Sequence, residues 1–267
     1  MRILHVPFCG GSLGKRGAEK SEAVIAALKE WLKRNMFSKE LIVNKVDVDN
    51  NNIRSSFEHI QSNVEKELKE NGKVIVLGGD HAITYPCFKA LSGHSNAGLI
   101  MLDAHPDCEE TTDLASHEDF LRKLINDDLL KAEQCILIGL RSASMNEKEF
   151  LRSRGILCFD GEKIDNIGLA ETCFTVMEQA RNWDACYLSI DIDVVDPAFA
   201  PAVHYPEVGG LSGRELLFIL RKLLLLKNIK VVDLVEIIPE KDKDSRTILL
   251  GSQVLAEAIS RMFPQYF

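Results

Sequence analysis

Short apolar, β-branched runs alternate with segments of helical period along the whole chain, and this alternation restricts the fold more than any other feature. Strands are expected at 2–7, 41–47, 73–78, 98–103, 135–140, 155–159, 185–191 and 229–236. Helices are expected near 18–34, 53–70, 83–91, 117–126, 146–153, 167–181, 212–226 and 246–262, several opened by serine caps such as Ser116 and Ser212. Successive βα units lay their strands side by side in a mostly parallel sheet with helices on both faces, so the expected class is α/β. With 267 residues, 46% of them hydrophobic, the chain is long enough to cover such a sheet as one domain, 1–267. No repeat, low-complexity tract or Pro/Gly/Ser-rich linker marks a boundary.

Charge narrows the partners. A formal net charge of -8 leaves no broad basic surface for phosphates, so nucleic acid and anionic membrane are poor partners and small cations better ones. The apolar stretch Leu216 to Leu226 is interrupted by Arg221 and Lys222, and the opening run Ile3 to Phe8 is too short for a signal-peptide core. Seven cysteines, an odd number without a CxxC pair, read as reduced thiols, which points to the cytoplasm.

The longest stretches without regular structure, 104–116 and 192–211, both follow strands, where sheet enzymes place their chemistry. Asp103, His105 and Asp107 stand at alternate positions as one apolar strand runs out, and Asp191 and Asp193 do the same after another. Alternation on an extended chain points such side chains the same way. His81 follows strand 73–78 and the turn Gly78-Gly79-Asp80. An isolated Asp-x-Asp at a strand end is often only a turn or cap, but three such pieces after three strands converge in one crevice. Four carboxylates together repel one another and would raise some of their pKa values; two divalent cations remove the conflict. Four aspartates with two imidazoles form a harder set than zinc thiolate sites and a more nitrogen-rich one than magnesium cages. This favours two Mn²⁺, with Fe²⁺, Co²⁺ or Zn²⁺ as substitutes.

Gly78-Gly79-Asp80-His81, Asp103-Ala104-His105-Pro106-Asp107 and Ser189-Ile190-Asp191-Ile192-Asp193 with Asp196-Pro197 resemble the signature motifs of the ureohydrolase (arginase, agmatinase and formiminoglutamase) family. Weaker matches at Gly14 to Glu19 and Val235 to Pro239 extend the resemblance over nearly the whole chain. It implies a three-layer αβα fold with a parallel sheet of about eight strands, a homo-oligomer, and a hydrolase that cleaves a guanidino or formimino group. Asp103 and Asp191 would bridge the metals, His81 and Asp107 completing one and His105 and Asp193 the other. Water activated between two cations is a strong nucleophile at neutral pH, and Asp107 would pass its proton to the departing amine. The resemblance also gives Glu236 the role of clamping a planar cation and His117 that of moving protons or orienting substrate. His117 has a second reading, since Ser116 and Asp119 frame it as a capping box. His5, His59 and His94 lack clustered partners and read as structural.

Two departures bear on substrate. Where the family continues with a Gly- and Thr-rich segment, this chain has Ala202-Val203-His204-Tyr205, so His204 and Tyr205 are expected to reshape the pocket. Val203 resembles formiminoglutamases, whereas Asp196-Pro197 resembles arginases and agmatinases. The segment Arg141-Ser142-Ala143-Ser144 lacks the aspartate with which arginases hold the α-amino group. The acidic loop 107–116, with Glu109, Glu110 and Asp113, is expected to face the substrate tail and to favour a second positive charge, while Thr111, Thr112 and Ser116 offer donors to a carboxylate. Two carboxylates would have to rely on Arg141 or Arg122. Agmatine is therefore expected ahead of arginine and formiminoglutamate. The competing readings are a formiminoglutamase, an arginase, a metal-dependent amidohydrolase for acylated polyamines, and a catalytically silent member that binds metal or ligand.

Overall fold

The computed structural model describes residues 2–35, 40–111 and 113–266. Among them, eight strands form one sheet: β1 (Arg2–His5), β2 (Ile42–Lys45), β3 (Val74–Leu77), β4 (Ala97–Leu102), β5 (Cys135–Leu140), β6 (Leu157–Asp160), β7 (Ala185–Asp191) and β8 (Ile229–Val235). Their order is β2-β1-β3-β8-β7-β4-β5-β6, and every pairing is parallel. All eight fall on expected runs. β3, β4, β5 and β7 are buried at every position, as a parallel sheet covered on both faces requires.

Helices α1 (Glu22–Arg34), α2 (Ile53–Asn71), α3 (Thr84–Lys89), α4 (Phe120–Asn126), α5 (Met145–Arg154), α6 (Gly161–Ile167), α7 (Leu169–Ala180), α8 (Gly213–Leu223) and α9 (Arg246–Met262) cover it. Strand residues alternate between two apolar clusters. Ile75, Leu77, Ile100 and Leu102 pack with residues of α1, α7, α8 and α9, while Val74, Val76, Leu99 and Met101 pack with residues of α2 to α5. The three layers are thus helix, sheet, helix.

Local chemistry sets the ends. The Asn52 side chain accepts from Ser55 N–H to start α2, and Gly72 closes it in the left-handed region. Ser144 with Glu147, and Ser212 with Glu215, form complete capping boxes. The expected box at Ser116 forms only by half. Asp119 accepts from both the N–H and the hydroxyl of Ser116, yet α4 starts at Phe120 with no side-chain cap at Asp119. α6 has no counterpart in the expected helices. It begins where Asp160 accepts from Lys163 N–H, a cap hidden in the end of β6.

The four central strands, β3, β8, β7 and β4, are adjacent, and their carboxyl ends lie side by side. The turn after β3 is held between neighbours: Asp80 N–H donates to Phe8 O and Glu236 N–H to Gly79 O. A Cβ on Gly79 would run into the Phe8 carbonyl, so only glycine lets these segments meet. Asp196 ties loop 195–211 shut by accepting from Ala198, Gly209 and Gly210 N–H. Among the described residues no helix is long and apolar enough to cross a membrane, and all seven cysteines are free.

Candidate active site

The four central strand ends deliver the expected ligands to one place. His81 Nδ1 lies 3.0 Å from Asp103 Oδ2, 2.9 Å from Asp107 Oδ2 and 3.3 Å from Asp191 Oδ2. His105 Nδ1 lies 3.0 Å from Asp193 Oδ2 and 3.6 Å from Asp103 Oδ1. Two triads result, His81-Asp103-Asp107 and Asp103-His105-Asp193, with Asp103 common to both. Asp191 belongs to neither triad at that spacing, but it faces His81 and accepts from Asp193 N–H. His81 Nδ1 and Asp103 Oδ2 are buried without a hydrogen-bond partner. Neighbouring ligands of an octahedral ion with bonds of about 2.1 Å stand about 3.0 Å apart, so these separations and donors fit divalent cations.

A hydrogen-bond chain that the sequence analysis did not find sets the His81 ring. Ser189 Oγ donates its one proton to Asp233 Oδ1 at 2.7 Å, so at 2.8 Å it accepts from His81 Nε2–H, leaving Nδ1 unprotonated toward the aspartates when the ring is neutral. Asp233 also accepts from Thr84 Oγ1, Tyr187 OH and Ile190 N–H. Its only sequence signal is a charged residue in the middle of an apolar strand. Phe120 packs on the other side of the site, its ring 4.5 Å from that of His81.

Electrostatics follow from crowding. Burial pushes the carboxyl of Asp107 up to about 7, aided by the charge of Asp103, and that of Asp193 up to about 6 for the same reasons. Burial would raise Asp103 as well, but the adjacent His105 and His81 imidazoles together hold it at about 2. Burial opposes charge on His105, yet Asp103 and Asp193 lift it to about 12. The cluster therefore retains protons where cations would bind. A folded carboxyl raised above its unfolded value of about 3.9 contributes stability below that pH and loses it as pH rises through 6 to 7. Metal competes with the same protons, so the rise in Tm on adding Mn²⁺ should be several degrees larger at about pH 8 than at about pH 5.5. Equal calorimetric gains at both values would mean that these aspartates do not exchange protons for metal.

The triads open into a cavity of about 240 Å³ lined by thirteen residues, eight of them acidic and none of the described ones lysine or arginine. His117, His204, Tyr205 and Glu236 line it as expected. Glu236 Oε1 accepts from His81 N–H at 2.9 Å and lies 3.1 Å from His117 Nδ1. Burial would raise the Glu236 carboxyl, but the His117 hydrogen bond and charge, with the His81 N–H and the His81 charge, together outweigh it and the net shift is downward. Asp107 and Glu236 both adopt positive φ, 49° and 63°, unusual for residues with a Cβ. Three carboxylates of the lining, Glu118, Glu147 and Glu207, were not expected. Glu147 carries a legible signal, its capping box with Ser144 at a strand end.

Other expectations are corrected. Glu110 is exposed and outside the cavity lining. Asp113 points away, 87% exposed and paired with Arg54 of α2 at 3.1 Å. Only Glu109 of that loop's acidic trio reaches the pocket, and Thr112 lies outside the described residues. Arg141 is committed to the carbonyls of Asp193, Val194 and Glu207, and Arg122 to Cys108 O and the Phe150 ring. Val203 is buried in the core and does not touch the pocket.

A parallel sheet that gathers imidazoles and carboxylates at its carboxyl ends defines a metal-dependent hydrolase of the three-layer class. Within that class the chain belongs to the arginase family, whose model matches residues 1–260. It is 30% identical to the human mitochondrial guanidino acid hydrolase over 94% of this chain and 72% of that protein. It is 31% identical to the mitochondrial agmatinase of Gallus gallus over 96% of this chain and 79% of that one. The crystal structure of formimidoylglutamase from Bacillus subtilis superposes with a TM-score of 0.89 at 25% identity, covering 98% of this chain and 86% of that chain.

Proposed function

We propose that the chain is an agmatinase-like ureohydrolase that releases urea and an amine from a small cationic guanidine, with two Mn²⁺ as first choice of metals. The observation that carries this reading is the pocket itself: it opens onto two ligand triads sharing Asp103, and its thirteen described lining residues include eight carboxylates and no lysine or arginine. Bound there, with Asp191 as a second shared ligand, the cations would supply water activated for attack on the guanidino carbon.

The protein groups do the rest. Glu236, held down in pKa, offers a carboxylate to the guanidinium plane by charge-assisted hydrogen bonds. Asp107, whose carboxylate lies 2.9 Å from His81 Nδ1 at the metal triads and also lines the pocket, would take a proton from the attacking water and return it to the departing amine. His117 has its Nδ1 engaged by Glu236, while its buried Nε2 lacks a hydrogen-bond partner, with Glu118 Oε1 3.7 Å away. Burial opposes its charge, but the Glu236 hydrogen bond and the neighbouring carboxylates raise its pKa, which favours the protonated form that can donate to substrate.

A substrate carboxylate entering this lining meets a large surplus of like charge, at a cost of about 1 kcal/mol or more for each close contact. In assays with excess Mn²⁺, reading urea or formamide, kcat/KM should therefore fall in the order agmatine, arginine, formiminoglutamate, each step about fivefold or more. Faster turnover of formiminoglutamate than of agmatine would reverse the substrate assignment. Absence of turnover for all three, with metal bound, would favour the silent binding protein.

A further inference from the structure

At the pocket mouth one of the chain's own ammonium groups is already seated. Lys15 Nζ lies 3.5 Å from the centroid of the Tyr205 ring and 3.9 Å from Glu118 Oε1, while Tyr205 OH donates to that same oxygen at 2.7 Å. Tyr205 and Glu118 both line the cavity, whereas Lys15 does not, and its side chain is 34% exposed. The Tyr205 ring also stands 5.8 Å from that of His105 and 6.0 Å from that of His117, so the seat adjoins the catalytic end of the pocket. The loop carrying Lys15 is fixed at its base. Ser12 Oγ donates to Cys9 O, Lys15 N–H donates to Ser12 O, and the left-handed residues Leu13 and Gly14 turn the chain between them.

We propose that the Tyr205 face and the Glu118 carboxylate form the subsite for the substrate's distal ammonium, and that Lys15 is a built-in occupant which a dicationic guanidine displaces. The proposal rests on the guanidine reading above and adds to it the residues that select the tail. An aromatic face with a carboxylate at its edge attracts a cation through the ring quadrupole and through charge, and both attractions are spent here on a primary ammonium. The opposite role for Lys15, anchoring a substrate carboxylate, fails on the surroundings. Its charge is already met by Glu118, and an entering carboxylate would face Glu118 and Glu207 of the lining. Because Lys15 competes with the ligand, removing it strengthens binding of a diamine. Removing Glu118 or the Tyr205 ring weakens it.

Calorimetric titration of the Mn²⁺-loaded chain with 1,4-diaminobutane and with butylamine tests this without relying on turnover. Lys15→Ala should raise the ratio of diamine to monoamine affinity about three- to tenfold. Glu118→Gln and Tyr205→Leu should lower that ratio by a similar factor. Lys15→Ala that weakens the diamine, or that shifts both amines equally, overturns the subsite; this surface variant serves even if Tyr205→Leu fails to fold. The two readings fail separately. A chain with the expected ratios but no urea from agmatine keeps the subsite and loses the reaction, while urea release with an unchanged ratio does the reverse.

Discussion

Asp103→Ala is expected to lower kcat/KM by about 10³-fold or more, roughly 4 kcal/mol of transition-state stabilisation, because both metal triads lose a ligand at once. Asp103 is 1% exposed, faces His81 and His105, and accepts the His105 backbone N–H. His105→Ala removes a ligand from one triad only and should cost less. Atomic absorption on each variant after gel filtration from excess Mn²⁺ gives an independent measure, with two ions per chain in the parent and fewer in Asp103→Ala. A variant that retains both ions would sink the shared-ligand arrangement, and a parent chain with one ion or none would sink the binuclear reading itself.

Asp233→Ala should be the most damaging change outside the ligands. Three buried hydroxyls, those of Thr84, Tyr187 and Ser189, and the N–H of Ile190 all donate to this carboxyl. Stranding them inside a dry sheet costs about 3–5 kcal/mol, or roughly 10 °C in the Tm of the metal-free chain. Ser189, no longer oriented, would also release the His81 ring, lowering Mn²⁺ affinity about 10- to 100-fold. Ser189→Ala separates the two effects, since it cuts the link to His81 while Asp233 keeps Thr84 and Tyr187. It should lose comparable metal affinity with a smaller fall in Tm. If titration calorimetry gave both variants the parent's affinity, Asp233 would be a packing residue only.

The strands and the ligand set were legible in the sequence because their signals are local. A β-branched run says strand, and Asp or His at alternate positions where it ends says that the side chains share a direction. Asp113 shows where such reasoning stops. Its charge is visible in the sequence, but its direction is set by Arg54, a residue 59 positions earlier, which draws it away from the pocket. Arg141 and Arg122 resemble free cations until the carbonyls that hold them are known. Asp233 lies hidden for a related reason, since an aspartate within an apolar strand signals a partner but names none. The helix near 117 is real but begins at Phe120, because Ser116, His117 and Asp119 are committed to the loop that carries the site. α6 went unread because its cap sits in the last residue of a strand.

The order in which the central strands stand differs from the order in which the chain makes them. β8, late in the sequence, lies between β3 and β7, and the ligands at 81, 103 and 191–193 meet only once these long-range pairings have closed. No early segment of the chain holds the whole constellation, so the site cannot act as a folding nucleus, and its assembly belongs to the slow, non-local stage of folding. The full ligand set is therefore offered to a cation only by the completed sheet. In the metal-free chain the raised carboxyls of Asp107 and Asp193 favour protons at those positions, so a binding cation would release them.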